Sequence, residues 1–108
     1  MINNLQNREK ALNLLGLATK AGKIISGTEM VIAGLEKGKV KLVVVASDLQ
    51  ANTLEKVTRV ASKKQIKLVN EFSAEELRHA IGKTRKVLAL TDQGFAKALA
   101  QKLEKECD

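Results

Sequence analysis

Leu5, Leu12, Leu15 and Ala18 recur at helical spacing and Gly22 stands in a C-terminal capping position just beyond them. The pattern predicts a first helix over residues 3–20. Ile24 and Ile25 then predict a short strand, and Ser26 with Glu29 three residues later forms the Ser-x-x-Glu pattern of a capping box, which predicts a second helix ending at Gly38. From Lys41 to Ala46 the chain is β-branched without alternation, as expected of a strand covered on both faces. Ser47 and Asp48 end it.

The same rhythm continues. Leu54, Val57, Val60 and Ala61 mark a third helix opened by Asn52 with Glu55, and the polar group Ser62 to Gln65 separates it from a strand over residues 66–70. Ser73 with Glu76 repeats the capping pattern ahead of Leu77, Ala80 and Ile81, and Gly82 closes that fourth helix. Residues 86–91 form a fourth strand, and Asp92 caps a last helix that carries Phe95, Leu99 and Leu103. Helices alternating with strands through short connections predict an α/β fold, a three-layer α-β-α sandwich with a four-stranded mixed sheet. With no proline, linker or low-complexity stretch, one domain spanning residues 1–108 is expected.

Charge changes the picture from fold to partner. Nineteen Lys and Arg against 12 Asp and Glu leave a formal charge of +7, which favours nucleic acid or an anionic membrane as partner. The longest apolar run, Leu42 to Ala46, falls far short of the roughly 20 residues that span a bilayer, and the polar start from Asn3 to Lys10 is unlike a signal peptide. A cytoplasmic, monomeric protein without membrane contact is expected.

Little in the chain points to catalysis. Cys107 is the single cysteine, which rules out a disulfide framework or a thiolate zinc cluster. His79 is the single histidine, on a helix marked by Leu77, Ala80 and Ile81, where a surface or half-buried position is expected. Asp48 and Asp92 each follow a strand, where a pair of carboxylates can hold magnesium, but a turn residue and a helix cap are the roles expected of them. No phosphate loop, dinucleotide fingerprint or triad is present. The expectation is a protein with no enzymatic activity, cofactor or metal.

The start of the second helix is the candidate anion site. A glycine there lets a ligand approach the backbone, and the first amides of a helix lack intrahelical acceptors. Gly27, Thr28 and Glu29 form that start, and Lys20, Lys23, Lys37, Lys39 and Lys41 are expected as a basic rim around it. Glu29 has a second use, as the third residue of the Ser26 box. Phe72 and Phe95 are the only aromatics, too few for a stacking platform, and Phe95 is expected in the core. Phe72, just before Ser73, either lies beneath a base or covers the sheet end.

In Ala21-Gly22-Lys23-Ile24, Gly27-Thr28-Glu29, Lys37-Gly38 and the run from Lys41 to Asp48, the chain resembles the kink-turn-binding ribosomal protein superfamily of archaea and eukaryotes. The spacing of Ser73, Leu77 and Gly82 continues the resemblance, and Val87 to Ala96 is most similar to its bacterial YlxQ-type branch. The resemblance implies non-catalytic binding of sharply bent RNA. In it, the start of helix two lies beside sheared G·A pairs and a second loop, before helix four, covers an extruded nucleotide. It implies RNA contacts at Lys20, Lys23, Ser26, Gly27, Thr28, Glu29, Met30, Lys37, Phe72, Ser73 and Lys83, with ribosomal RNA or a kink-turn-like element as ligand and the ribosome as a candidate setting.

Three positions depart from the family pattern of Asn, Glu and a Lys three residues on: here they are Glu29, Met30 and Ala33. Met30 cannot accept hydrogen bonds from a guanine edge, and Ala33 cannot reach a phosphate. Two lysines that often precede the glycine are Ile25 and Ser26. Two alternatives stay open beside the RNA binder. One is a protein-interaction or regulatory module of the same fold that has lost base-specific recognition. The other is a relative of the substrate-recognition domain of RNA 2′-O-methyltransferases, which would need a separate catalytic domain.

Overall fold

A computed structural model describes residues 4–103, with side chains from residue 7 onward. The elements are α1 (Asn4–Lys20), β1 (Ile24–Ser26), α2 (Thr28–Glu36), β2 (Leu42–Ala46), α3 (Ala51–Lys63), β3 (Leu68–Phe72), α4 (Ala74–Ile81), β4 (Val87–Leu90) and α5 (Gln93–Leu103). The strands lie in the order β1-β4-β2-β3. β4 runs antiparallel to both β1 and β2, whereas β2 and β3 are parallel, so the sheet is mixed.

The two central strands are buried along their whole length. In β2, Leu42, Val44 and Ala46 point to one face and Val43 and Val45 to the other. That two-residue period divides the core into two layers. Beneath the sheet, Ala11, Leu15 and Ala18 of α1, Leu77 and Ile81 of α4, and Ala96 and Leu99 of α5 meet Leu88 and Leu90. Above it, Val31 and Leu35 of α2 and Val57 and Ala61 of α3 meet Val87 and Ala89. Each fully buried Val or Leu contributes about 1.5–3 kcal/mol of apolar transfer, so the double-faced strands anchor the sandwich.

Local chemistry explains where the observed boundaries differ from the sequence pattern. β3 starts at Leu68 because the Ile66 amide donates to the Ala61 carbonyl at 2.8 Å and the Gln65 amide to Ser62, a closure of α3 that occupies Ile66. Gln65 carries it out at φ 60°, the one positive φ among non-glycine residues in the described chain. α3 begins after Gln50 rather than at Asn52, and no side chain caps it. Phe95 is half-buried against the lower core. Asn3 and Cys107 fall outside the described residues, as does the Leu5 side chain.

Candidate nucleic-acid interface

Four chain segments converge at one end of the sheet. Ser26 at the end of β1 pairs with Leu88, and the Gly27 amide donates to the Val87 carbonyl at 2.8 Å. Across β4, the Ala46 amide donates to the Lys86 carbonyl at 2.8 Å, and beyond β2 the Ser47 amide donates to Phe72 at 2.7 Å. Gly27 therefore sits beside the loop from α4 into β4. The turn at Phe72 and Ser73 lies three strand positions away, about 14 Å at the usual strand spacing.

Gly27 adopts φ 98° and ψ 141°, a backbone conformation that side chains disfavour, and a Cβ placed there would meet nothing within 4 Å. The glycine requirement is thus conformational. It turns the chain from β1 into α2, and the first α2 carbonyl bond is Val31 to Gly27 at 2.9 Å. The expected Ser26–Glu29 box does not form. β1 extends through Ser26 to pair with β4, which moves the cap position to Gly27, and no side chain caps it. The amides of Thr28, Glu29 and Met30 thereby keep the unsatisfied direction of a helix start. Glu29 is exposed in the first turn, Met30 is 60% exposed, and Ala33 is half-buried.

The start of α4 is built in the opposite way. The Ser73 hydroxyl accepts the Glu76 amide at 3.1 Å, the Glu76 carboxylate accepts the Ser73 amide at 2.9 Å, and Asp48 accepts the Ala74 amide at 3.0 Å. Arg8 binds Glu76 through two guanidinium contacts, at 3.1 and 2.6 Å, and lies 5.0 Å from the centre of the Phe72 ring. Arg8 and the Ser73 amide hold the Glu76 carboxyl below its ordinary range. Phe72 is 0% exposed, so its ring belongs to the lower core and offers no face to a base. Ser73, with hydroxyl and amide both engaged in the box, is likewise committed to the fold.

The basic rim is redistributed. The Lys23 carbonyl accepts the Thr91 amide at the far end of β4, and the Lys41 amide donates to Leu90 there. Lys37 and Lys39 follow α2, whose nine residues carry them about 13 Å from Gly27 at 1.5 Å per residue. Lys23, Lys37, Lys39 and Lys41 thus lie at the opposite end of the sheet from the helix start they were expected to surround. Lys20 closes α1 and lines a groove with His79, Ala80, Ile81 and Gly82 of α4. Of the expected cations, Lys83 is in the α4–β4 loop that ends beside Gly27, joined there by Arg85 and Lys86, which sequence reasoning missed. All three are exposed. Only the antiparallel pairing of β1 with β4 reveals them, and that pairing leaves no local signal.

Asp48 and Asp92 do not form a metal site. They follow antiparallel strands and so stand at opposite ends of the sheet, each accepting a helix-start amide: Ala74 for Asp48 and Phe95 for Asp92. Among the described residues no group of three His, Cys, Asp or Glu side chains could hold a metal ion, and no helix is long and apolar enough to cross a membrane. His79 is exposed on α4.

Comparison with known proteins places this geometry among relatives. Residues 9–100 match the family described as ribosomal protein L7Ae/L30e/S12e/Gadd45. The RNA-binding protein YlxQ of Enterococcus faecium is 44% identical over 101 residues, covering 94% of this chain and 98% of that one. YlxQ of Bacillus subtilis is 39% identical over 92 residues, covering 84% and 92%. A solved structure of a Bacillus halodurans protein of unknown function superposes with a TM-score of 0.86 at 34% identity, covering 89% of this chain and 98% of that one.

Proposed function

The chain belongs to the ribosomal protein L7Ae/L30e/S12e/Gadd45 family, and on that footing we propose that it is a small, non-catalytic, cytoplasmic RNA-binding protein. It grips structured RNA between the uncapped start of α2 and the cationic loop that enters β4. The carrying observation is the bond from the Gly27 amide to Val87, which joins the glycine-opened start of α2 to the strand entered by the loop of Lys83, Arg85 and Lys86. An RNA phosphate at this junction meets a partial positive charge from the helix and full charges from the loop. The relatives named RNA-binding proteins support the same ligand class.

Shape carries most of this recognition. Glu29 and Met30 stand exposed where the kink-turn binders that the chain resembles read bases. The Glu29 carboxylate repels phosphate, and Met30 offers no hydrogen bond to a base edge. Gel-shift titration against a kink-turn RNA, a matched straight duplex and a ribosomal RNA fragment, at several salt concentrations, tests the proposal. Preference for one folded RNA over the duplex supports it, whereas equal affinities with a steep salt slope reduce the contact to charge alone. Changing Glu29→Asn, Met30→Glu and Ala33→Lys together is expected to tighten kink-turn binding at least tenfold, about 1.4 kcal/mol. No gain would mean that α2 does not face the RNA.

A second reading rests on Met30. With Met30 60% exposed and Ala33 in place of base-reading side chains, this junction would serve a protein partner in the regulatory role of a family member without base readout. Met30→Ser weakening a protein complex while leaving RNA affinity unchanged would favour it.

A further inference from the structure

Among the described residues, seven lysines gather at the end of the sheet remote from Gly27. Lys23, Lys39, Lys41 and Lys67 flank the strands there, fixed by backbone bonds from Lys41 to Leu90 and from Thr91 and Val43 to the carbonyls of Lys23 and Lys67. Lys37 follows α2, and Lys63 and Lys64 close α3, at the same end. All of these lysines are exposed, and none makes an ion pair among the described residues. Among the described residues Glu36 and Asp92 are the acidic residues at this end, and Asp92 already accepts the Phe95 amide.

Cations beside helix C-termini favour the helix dipole, which accounts for Lys37, Lys63 and Lys64. Lys67, leading into edge strand β3, also discourages strand addition. Neither reason covers Lys23, Lys39 and Lys41, which enter strands from loops. Like charges held this close without partners raise the energy of the free protein and are relieved by a polyanion. Lysines act as point charges toward phosphate, and Phe95, the aromatic residue at this end, packs against the core instead of offering a stacking face.

We propose that this lysine-rich end binds the phosphate backbone of a second RNA segment, so that the protein holds two stretches of RNA at opposite ends of its sheet. The inference rests on the reading of the Gly27 end as the first contact. Contacts at the lysine end are independent of sequence, because phosphates carry no base identity.

The test uses the full chain with Lys39→Gln, Lys41→Gln and Lys67→Gln combined, and separately Lys83→Gln, Arg85→Gln and Lys86→Gln combined. The folded RNA preferred in the gel-shift titration, labelled with a donor dye, and a straight RNA duplex labelled with an acceptor report bridging by energy transfer, and titrations against each at several salt concentrations report the charge contacts. Thermal unfolding confirms that these exposed substitutions leave the fold intact. The first triple is expected to lower the salt slope by about three, near one per lysine, and to abolish energy transfer. Lys→Arg at the same positions should retain both. An unchanged slope and unchanged transfer in that triple would overturn the second contact, while the loop triple alone decides the first. Wild type that binds the folded RNA without bridging it to the duplex also overturns it, and wild type that binds no RNA overturns both readings. Tighter binding to polyglutamate than to duplex would assign the surface to an acidic protein and overturn the proposal.

Discussion

Two helix starts share one end of the sheet, and they are built for different ends. At α4 the box of Ser73 and Glu76, the Asp48 carboxylate and the Arg8 guanidinium occupy the polar groups of the first turn. At α2 a glycine in a side-chain-averse conformation leaves the first amides without any side-chain partner. A capped start contributes stability and has nothing to offer a ligand, whereas a start capped by glycine forgoes only about a few tenths of a kcal/mol and retains its donors. The contrast separates the part of this surface that serves the fold from the part available to an anion.

Removing the α4 network tests the stability half with the largest effect. Glu76→Ala deletes the acceptor of the Ser73 amide and the partner of Arg8 at once, and a loss of about 2 kcal/mol in urea unfolding is expected. The ion pair itself is about one-third exposed and accounts for the smaller share. RNA affinity should stay within twofold of wild type. Because the folded Glu76 carboxyl is held below its ordinary value of 4.5, its contribution is complete above that pH and is lost as pH falls below it. Glu76→Gln should therefore flatten the acid limb of the stability profile. If affinity fell along with stability, the two helix starts would not be separable.

Gly27→Ala probes the other half. At φ 98° an added methyl group meets no neighbour, so the cost is backbone strain alone, about 1.5 kcal/mol. Relief of that strain is expected to move the first turn of α2 away from Val87, and an RNA affinity loss beyond tenfold is expected in the same gel-shift assay. Destabilisation with full RNA binding would show that the glycine serves only the strand-to-helix turn.

The contrast between the two starts was half legible in the sequence. Ser73 with Glu76 and Ser26 with Glu29 have the same spacing, and only the first pair forms a box. What distinguishes them is the pairing of Ser26 with Leu88, a contact between residues far apart in the chain. The buried runs of β2 and β4 were readable because burial on both faces removes alternation locally. Placement of the lysines was not, since it depends on strand order: Lys23 and Lys41 are close to Gly27 in sequence and at the other end of the sheet in space. Phe72 illustrates the same limit, because its neighbours in sequence mark a loop while its ring completes the lower core.

Gln65 supplies the control with the smallest effect. It closes α3 at φ 60°, where a Cβ crowds the backbone and glycine does not, so Gln65→Gly relieves roughly 1 kcal/mol of strain against a partly offsetting gain in unfolded-chain entropy. A net rise of about 0.5 kcal/mol in urea unfolding is expected. The site lies at the far end of α3, remote from both helix starts, and its backbone bonds from Gln65 to Ser62 and from Ile66 to Ala61 need no side chain. Combined with Glu76→Ala, the substitution should restore part of the lost stability without moving RNA affinity, because the two sites share no partner and their effects should add. An affinity that tracked total stability across these variants, whichever end of the molecule carried the change, would mean that α2 binds RNA only as well as the whole sandwich is folded. An affinity that moved only with Gly27 would tie the grip to the three amides that glycine leaves open.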